Sequence, residues 1–126
     1  MKLNVDCMRA VLLELEKQPL NKDLYYKDLL VALDNFSTDD INYSVLKLQE
    51  ANYIVAHIAK YDNGFTIVRL SDITYEGHQF LESIRDNKIW AETKSICAKA
   101  GSFTFKFISQ VASAVLSASI NQYLGN

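Results

Sequence analysis

With only four glycines and one proline in 126 residues, the chain offers no glycine-rich phosphate loop, no nucleophile elbow and no hydrolase signature. Catalysis is the least favoured class on that ground, and neither enzyme activity nor a cofactor is expected. Two cysteines, Cys7 and Cys97, and two histidines, His57 and His78, show neither CxxC nor HxxxH spacing, so no metal site is expected. The thiols stand far apart among apolar or small neighbours and read as reduced packing residues. His78 has Glu82 one helical turn ahead, a common helix-surface pair rather than an acid-base couple. Positive charge is also scarce: thirteen basic side chains face fifteen acidic ones, a formal charge of −2. Nothing global draws the chain toward phosphate backbones or anionic membranes, so nucleic-acid binding would need a local patch. A long apolar run is missing as well. Asp6 and Arg9 interrupt the N-terminal segment, and the stretch 103–120 is diluted by serines, Gln110 and Lys106. A secretory leader and membrane insertion are therefore not expected, and a cytoplasmic protein is.

What is present suffices for a core, since 49% of the residues are apolar. Val5, Met8, Val11, Leu12 and Leu15 recur at helical spacing behind Asn4, a capping residue type, which predicts a helix over 5–18 stopped by Pro19. Leu29, Leu30 and Leu33 predict a short second helix within 24–33. Ser37 or Thr38 caps a third over 38–51, with Ile41, Val45 and Leu48 as its apolar stripe and Asn52 as a left-handed stop. Segments 53–61 and 65–73 are rich in β-branched and aromatic residues, and Asp62-Asn63-Gly64 between them supplies the positive φ angles of a tight hairpin. Thr74 caps a helix carrying Phe80, Leu81 and Ile84. After Asp86-Asn87 a further helix turns Ile89, Trp90, Thr93, Ile96 and Cys97 inward until Gly101 breaks it, and Trp90 and Tyr75 read as core or hinge anchors.

The order helix, hairpin, helix over residues 38–84 predicts an α+β, mostly helical fold: a winged helix-turn-helix with a two-stranded wing and additional C-terminal helices. Residues 1–86 form the winged domain. Residues 87–126 form a helical extension that packs on the same domain or makes a homodimer interface through Phe107, Ile108, Val111, Val115 and Ala118.

The segment ITYEGHQFLESIRDNKIWAETK, residues 73–94, resembles the characteristic block of the domain of unknown function 2513 family, small proteins of phages, prophages and their bacterial hosts. Trp90 at a fixed distance from Glu76-Gly77-His78 carries the likeness, which extends from the opening MKLNVDCMRAVLLELE through the third helix to the C-terminal helix. The resemblance implies a winged-helix fold and brings no activity with it. More distantly, Ile73, Thr74 and Gly77 are similar to the start of the post-wing helix in winged-helix repressors. Many relatives in the family place Gly where Asn52 stands, a swap that a helix terminus tolerates.

A recognition helix needs amides, hydroxyls and cations near its start. Asn42, Tyr43, Ser44 and Lys47 are the candidates on the third helix, with Lys60, Asn63 and Arg69 on or near the wing and Lys27 on the preceding helix. Four cations would give modest, salt-sensitive affinity for double-stranded DNA unless a dimer doubles the count of phosphate contacts. Against that stand Asp39 and Asp40 in the first turn. They complement the helix dipole by roughly 0.3–1 kcal/mol each but repel phosphate. Two functions follow from the same face: a small DNA-binding regulator of phage, prophage or bacterial origin, or a protein-interaction module that binds a host or phage protein through Asp39, Asp40 and Tyr43 without touching DNA.

Overall fold

In the computed structural model, which describes residues 1–125, Asn4 opens helix α1 (Val5–Glu16) by accepting the backbone N–H of Cys7 at 3.1 Å. Of the predicted apolar positions of α1, Met8, Val11, Leu12 and Leu15 are buried together with Cys7, while Val5 is half-buried. The helix ends two residues earlier than its periodicity suggests, because Lys17 and Gln18 turn back onto the carbonyls of Glu14 and Leu15. The second helix is also shorter. Leu24–Tyr25 is a strand, β1, and α2 occupies only Tyr26–Ala32. Residues 24 and 25 pair with Leu70 and Arg69 across the sheet, a long-range ladder that a local period cannot register.

Helix α3 (Thr38–Glu50) is capped by Ser37, whose hydroxyl accepts from the Asp40 N–H, and it ends before Asn52 at φ 63°. Strands β2 (Ile54–Tyr61) and β3 (Gly64–Ile73) form the hairpin, and the three-stranded antiparallel sheet runs β1-β3-β2. The expectation of positive φ across the hairpin turn narrows to Gly64, at 155°. Val55 faces Asp72 while Ala56 faces Leu70, and His57 faces Arg69 while Ile58 faces Ile67. Ser71 and Val68 are therefore extra residues on β3, and these bulges let Ile67, Leu70 and Ile73 all reach the core despite their spacing of three.

Thr74 joins the hairpin to α4 (Tyr75–Ile84). Its hydroxyl donates to the Asn52 carbonyl at 2.6 Å and accepts the Gly77 N–H at 3.0 Å, while its own N–H reaches the Tyr53 carbonyl. Any Cβ at position 77 would collide with that same Tyr53 carbonyl and with the Ile73 side chain. Helix α5 (Asn87–Ala100) is capped by Asp86 and closed by Gly101 in the left-handed conformation, φ 76°. Helix α6 (Phe105–Tyr123) is capped by Thr104.

Among the described residues the fold is thus mostly helical α+β, with six helices and one three-stranded sheet. The chain divides into two compact units, Met1–His78 and Gln79–Asn126, with the division inside α4. In the first unit α1 packs on α3 and on β3. In the second, α5 packs along α6, and Phe80 meets Phe105 with ring centroids 5.5 Å apart. Trp90 is buried as expected of an anchor, whereas Tyr75 is 75% exposed and Ile96 is partly exposed.

Candidate interaction surface

Helix α3 is held at both ends. At its start, Asn4 uses its carbonyl to cap α1 and its amide to donate to Asp40 Oδ2 at 3.2 Å, tying one first-turn carboxylate to the neighbouring helix. Near its end, the Gln49 side chain accepts the Ala56 N–H, occupying a donor on the strand that forms one edge of the sheet. Ile41, Ser44, Val45 and Leu48 face inward.

Ser44 is the clearest correction. It lies three residues after Ile41 and four before Leu48, on the apolar stripe, and is fully buried. Its hydroxyl lacks a well-formed hydrogen bond among the described residues, and its weak partner is the Cys7 thiol. It is not available to touch a base.

Three further candidates are committed within the chain. Asn42 is half-buried and accepts a 2.6 Å hydrogen bond from the Tyr26 hydroxyl on α2. Lys47 pairs with Glu50 at 2.8 Å and sits 5.1 Å from the Tyr43 ring centroid; the hydrogen bond to Glu50 is the main reason its pKa is raised. Arg69 on β3 is half-buried, its Nε 3.0 Å from Asp23 Oδ2. Tyr26, Asp23 and Gln49 were not singled out from sequence, because they act on residues 16, 46 and 7 positions away, respectively, through the fold. Lys27, Lys60 and Asn63 are exposed. The structure therefore places Asn42, Tyr43 and Lys47 together on α3, and leaves Lys60 and Asn63 at the far end of the hairpin.

The charge of this region is acidic. From Tyr26 to Glu50 there are two cations, Lys27 and Lys47, against five carboxylates, Asp28, Asp34, Asp39, Asp40 and Glu50. Val31 on α2 stands 76% exposed among them.

Elsewhere in the first unit, a groove of about 580 Å³ is lined by the 15–23 segment, Val55, residues 71–73 and His78, and holds none of the residues singled out for binding. Among the described residues no group of three or more His, Cys, Asp or Glu side chains stands close enough to hold a metal ion. Both thiols are fully buried, and burial pushes both Cys7 and Cys97 above the usual cysteine pKa.

The C-terminal helix departs from the expected interface. Ile108, Val111 and Val115 are buried within the chain, Phe107 is half-buried, and Ala118 is exposed. The first three lie on the face of α6 that the chain itself covers, so they are not free to meet a partner. The open apolar positions are Leu116, Ile120, Tyr123 and Leu124. No helix of the described residues is long and apolar enough to cross a membrane.

Comparison with known proteins places the chain without assigning it a task. The family model described as "Hypothetical protein (DUF2513)" matches residues 2–103. A protein of Haemophilus influenzae, strain Rd, described as "Uncharacterized protein", is 30% identical over 119 residues, covering 93% of this chain and 97% of the relative. No solved structure matches. The chain belongs to the DUF2513 family.

Proposed function

We propose that this member of the DUF2513 family is a cytoplasmic winged-helix protein whose α2–α3 surface docks on a basic surface of another protein, rather than reading duplex DNA. The fold supports the winged-helix part. A short strand lies between α1 and α2 and pairs with the second strand of the hairpin, and the hairpin follows α3 directly, which is the order a wing requires.

One observation carries the choice of partner: four of the eight candidate DNA-contacting side chains, including three of the four on α3, are already engaged or buried. Asn42 is held by Tyr26, Lys47 by Glu50 and Arg69 by Asp23, and Ser44 is in the core. Freeing Asn42 would cost its part-buried hydrogen bond, about 1 kcal/mol, before any base is met. Five carboxylates against two cations across α2 and α3 would then repel the phosphates. A protein surface rich in Lys and Arg meets the same charges favourably, with exposed Val31 as apolar area.

A photo-crosslinking residue in place of Tyr43 tests this reading in a lysate of the source cell. A protein adduct is expected, reduced when Asp34 and Asp39 are changed to Lys. Retardation of duplex DNA by the wild-type protein at low ionic strength, lost as salt rises, would sink it.

The second reading is a DNA-binding regulator of phage, prophage or bacterial genes. Exposed Lys27, Lys60 and Asn63 favour it. It predicts that Lys27→Ala and Lys60→Ala each lower the salt dependence of duplex binding by about one counterion.

A further inference from the structure

We propose that Asn63 is a site of spontaneous covalent modification: its side-chain amide reacts with the Gly64 backbone nitrogen and is lost as ammonia, so the hairpin tip acquires a carboxylate with time. Asn63 is the one asparagine followed by glycine. Asparagines elsewhere precede valine, lysine, phenylalanine, tyrosine or glutamine, whose side chains crowd the nitrogen that must attack. Some are also held by the fold. Asn4 spends its carbonyl on the Cys7 N–H and its amide on Asp40, and Asn42 accepts from Tyr26 within α3.

The tip of the hairpin is open by comparison. Tyr61, Asp62, Asn63, Gly64 and Thr66 are all exposed, and apart from the two neighbouring residues no atom lies within 4 Å of where a Cβ on Gly64 would stand, so the amide has room to swing onto the nitrogen. Tyr61 and Gly64 form the last rung of the ladder. Freeing that nitrogen opens one pair at the end of the hairpin and leaves Ile54, Ile67 and Leu70 in the core.

The Gly64 nitrogen loses its proton to water or hydroxide and attacks Asn63 Cγ, forming the N–Cγ bond of a five-membered succinimide. The Cγ–Nδ2 bond breaks, and Nδ2 takes up a proton and departs as ammonia. Water, the only co-reactant, then opens the ring at either carbonyl: addition at Cγ gives aspartate, and addition at the backbone carbonyl carbon leaves the chain running through Cβ and Cγ as isoaspartate. Either product adds one negative charge beside Asp62 and takes the formal charge from −2 to −3. Lys60 and Asn63 are the hairpin groups that favour duplex binding, so any such binding weakens with age while the α2–α3 surface keeps its charges. The inference rests on neither reading of α3.

Ageing the full chain at neutral and at mildly alkaline pH, followed by trypsin and mass spectrometry beside unaged protein, tests it. Cleavage after Lys60 and Arg69 releases Tyr61–Arg69, in which Asn63 is the only side-chain amide. That peptide is expected to gain one dalton and to separate into two products of equal mass before any other asparagine peptide changes. The conversion is faster at the higher pH, because the attacking nitrogen must lose its proton. Asn63→Gln, at an exposed turn position, is expected to abolish it, since the longer side chain closes a ring less readily. A parallel incubation in guanidinium sets the rate of the same residues without the hairpin. A native peptide that keeps its mass while the unfolded one converts would show that the hairpin shields the nitrogen, and overturns the inference. Earlier conversion at another asparagine, the same gain in Asn63→Gln, or a rate that does not rise with pH overturns it equally. None of these outcomes touches the Tyr43 crosslink, so the docking reading stands or falls separately.

Discussion

The Tyr26 hydroxyl donates a 2.6 Å hydrogen bond to Asn42 Oδ1, so the amide that would stand ready on α3 for a base edge is fastened to α2. One contact both orients the two helices and removes a reader from the surface. Tyr26→Phe is expected to lower stability by about 1 kcal/mol, since a part-buried acceptor loses its donor. Urea denaturation of Tyr26→Phe, Asn42→Ala and the double variant checks this, and a coupling energy near zero would mean the bond contributes nothing.

Ser44→Ala is expected to leave stability unchanged or raise it by up to about 1 kcal/mol, because it removes a buried hydroxyl with no well-formed partner. Equilibrium unfolding measures the change. A loss greater than about 1 kcal/mol would reveal a hydrogen bond worth keeping, with the Cys7 thiol as its other end.

Gly77→Ala, at a buried position, should be among the most damaging substitutions in the chain. The new methyl meets the Tyr53 carbonyl and the Ile73 side chain at the start of α4, and backbone on that side cannot yield without breaking the Thr74 to Tyr53 hydrogen bond. A destabilisation of about 3 kcal/mol is expected, at the upper end for overpacking, visible as a fall in thermal midpoint.

Both thiols resist ionisation because they are buried. The unfolded chain loses these protons near its ordinary value of 9.0 while the folded chain retains them. Stability from this source is therefore complete below pH 9.0 and is lost as pH rises from there toward the folded-state values, by at most about 1.4 kcal/mol per pH unit for each thiol. Urea midpoints above pH 9.0 are expected to fall, less steeply in Cys7→Ala, with iodoacetamide labelling both cysteines only after unfolding. Rapid labelling of the native protein at neutral pH would contradict the burial.

Much of this architecture is legible along the chain because its signals are local. Asn4, Ser37, Thr74, Asp86 and Thr104 each cap a helix with their own side chain, Asn52 and Gly101 take the left-handed conformation that stops one, and Ile41, Val45 and Leu48 mark the buried stripe of α3. Such features depend on a few neighbouring residues, so periodicity and residue type suffice. The binding surface is harder to read. Ser44 resembles a surface hydroxyl until its place between Ile41 and Leu48 is taken as part of the stripe. Arg69 resembles a phosphate contact until Asp23 is brought beside it.

The amino-acid sequence by itself determined where the helices and hairpin strands lie, the family, and the acidic balance of α2 and α3, because each follows from composition, short-range spacing or a contiguous match. Tertiary structure alone decided that Leu24–Tyr25 is a strand, that Asn42 and Arg69 are engaged, and that the apolar side of α6 is covered up to Val115 and open beyond it. These depend on which distant side chain or backbone group arrives opposite, and that is settled by the competition of whole elements for burial and hydrogen bonds rather than by any local pattern.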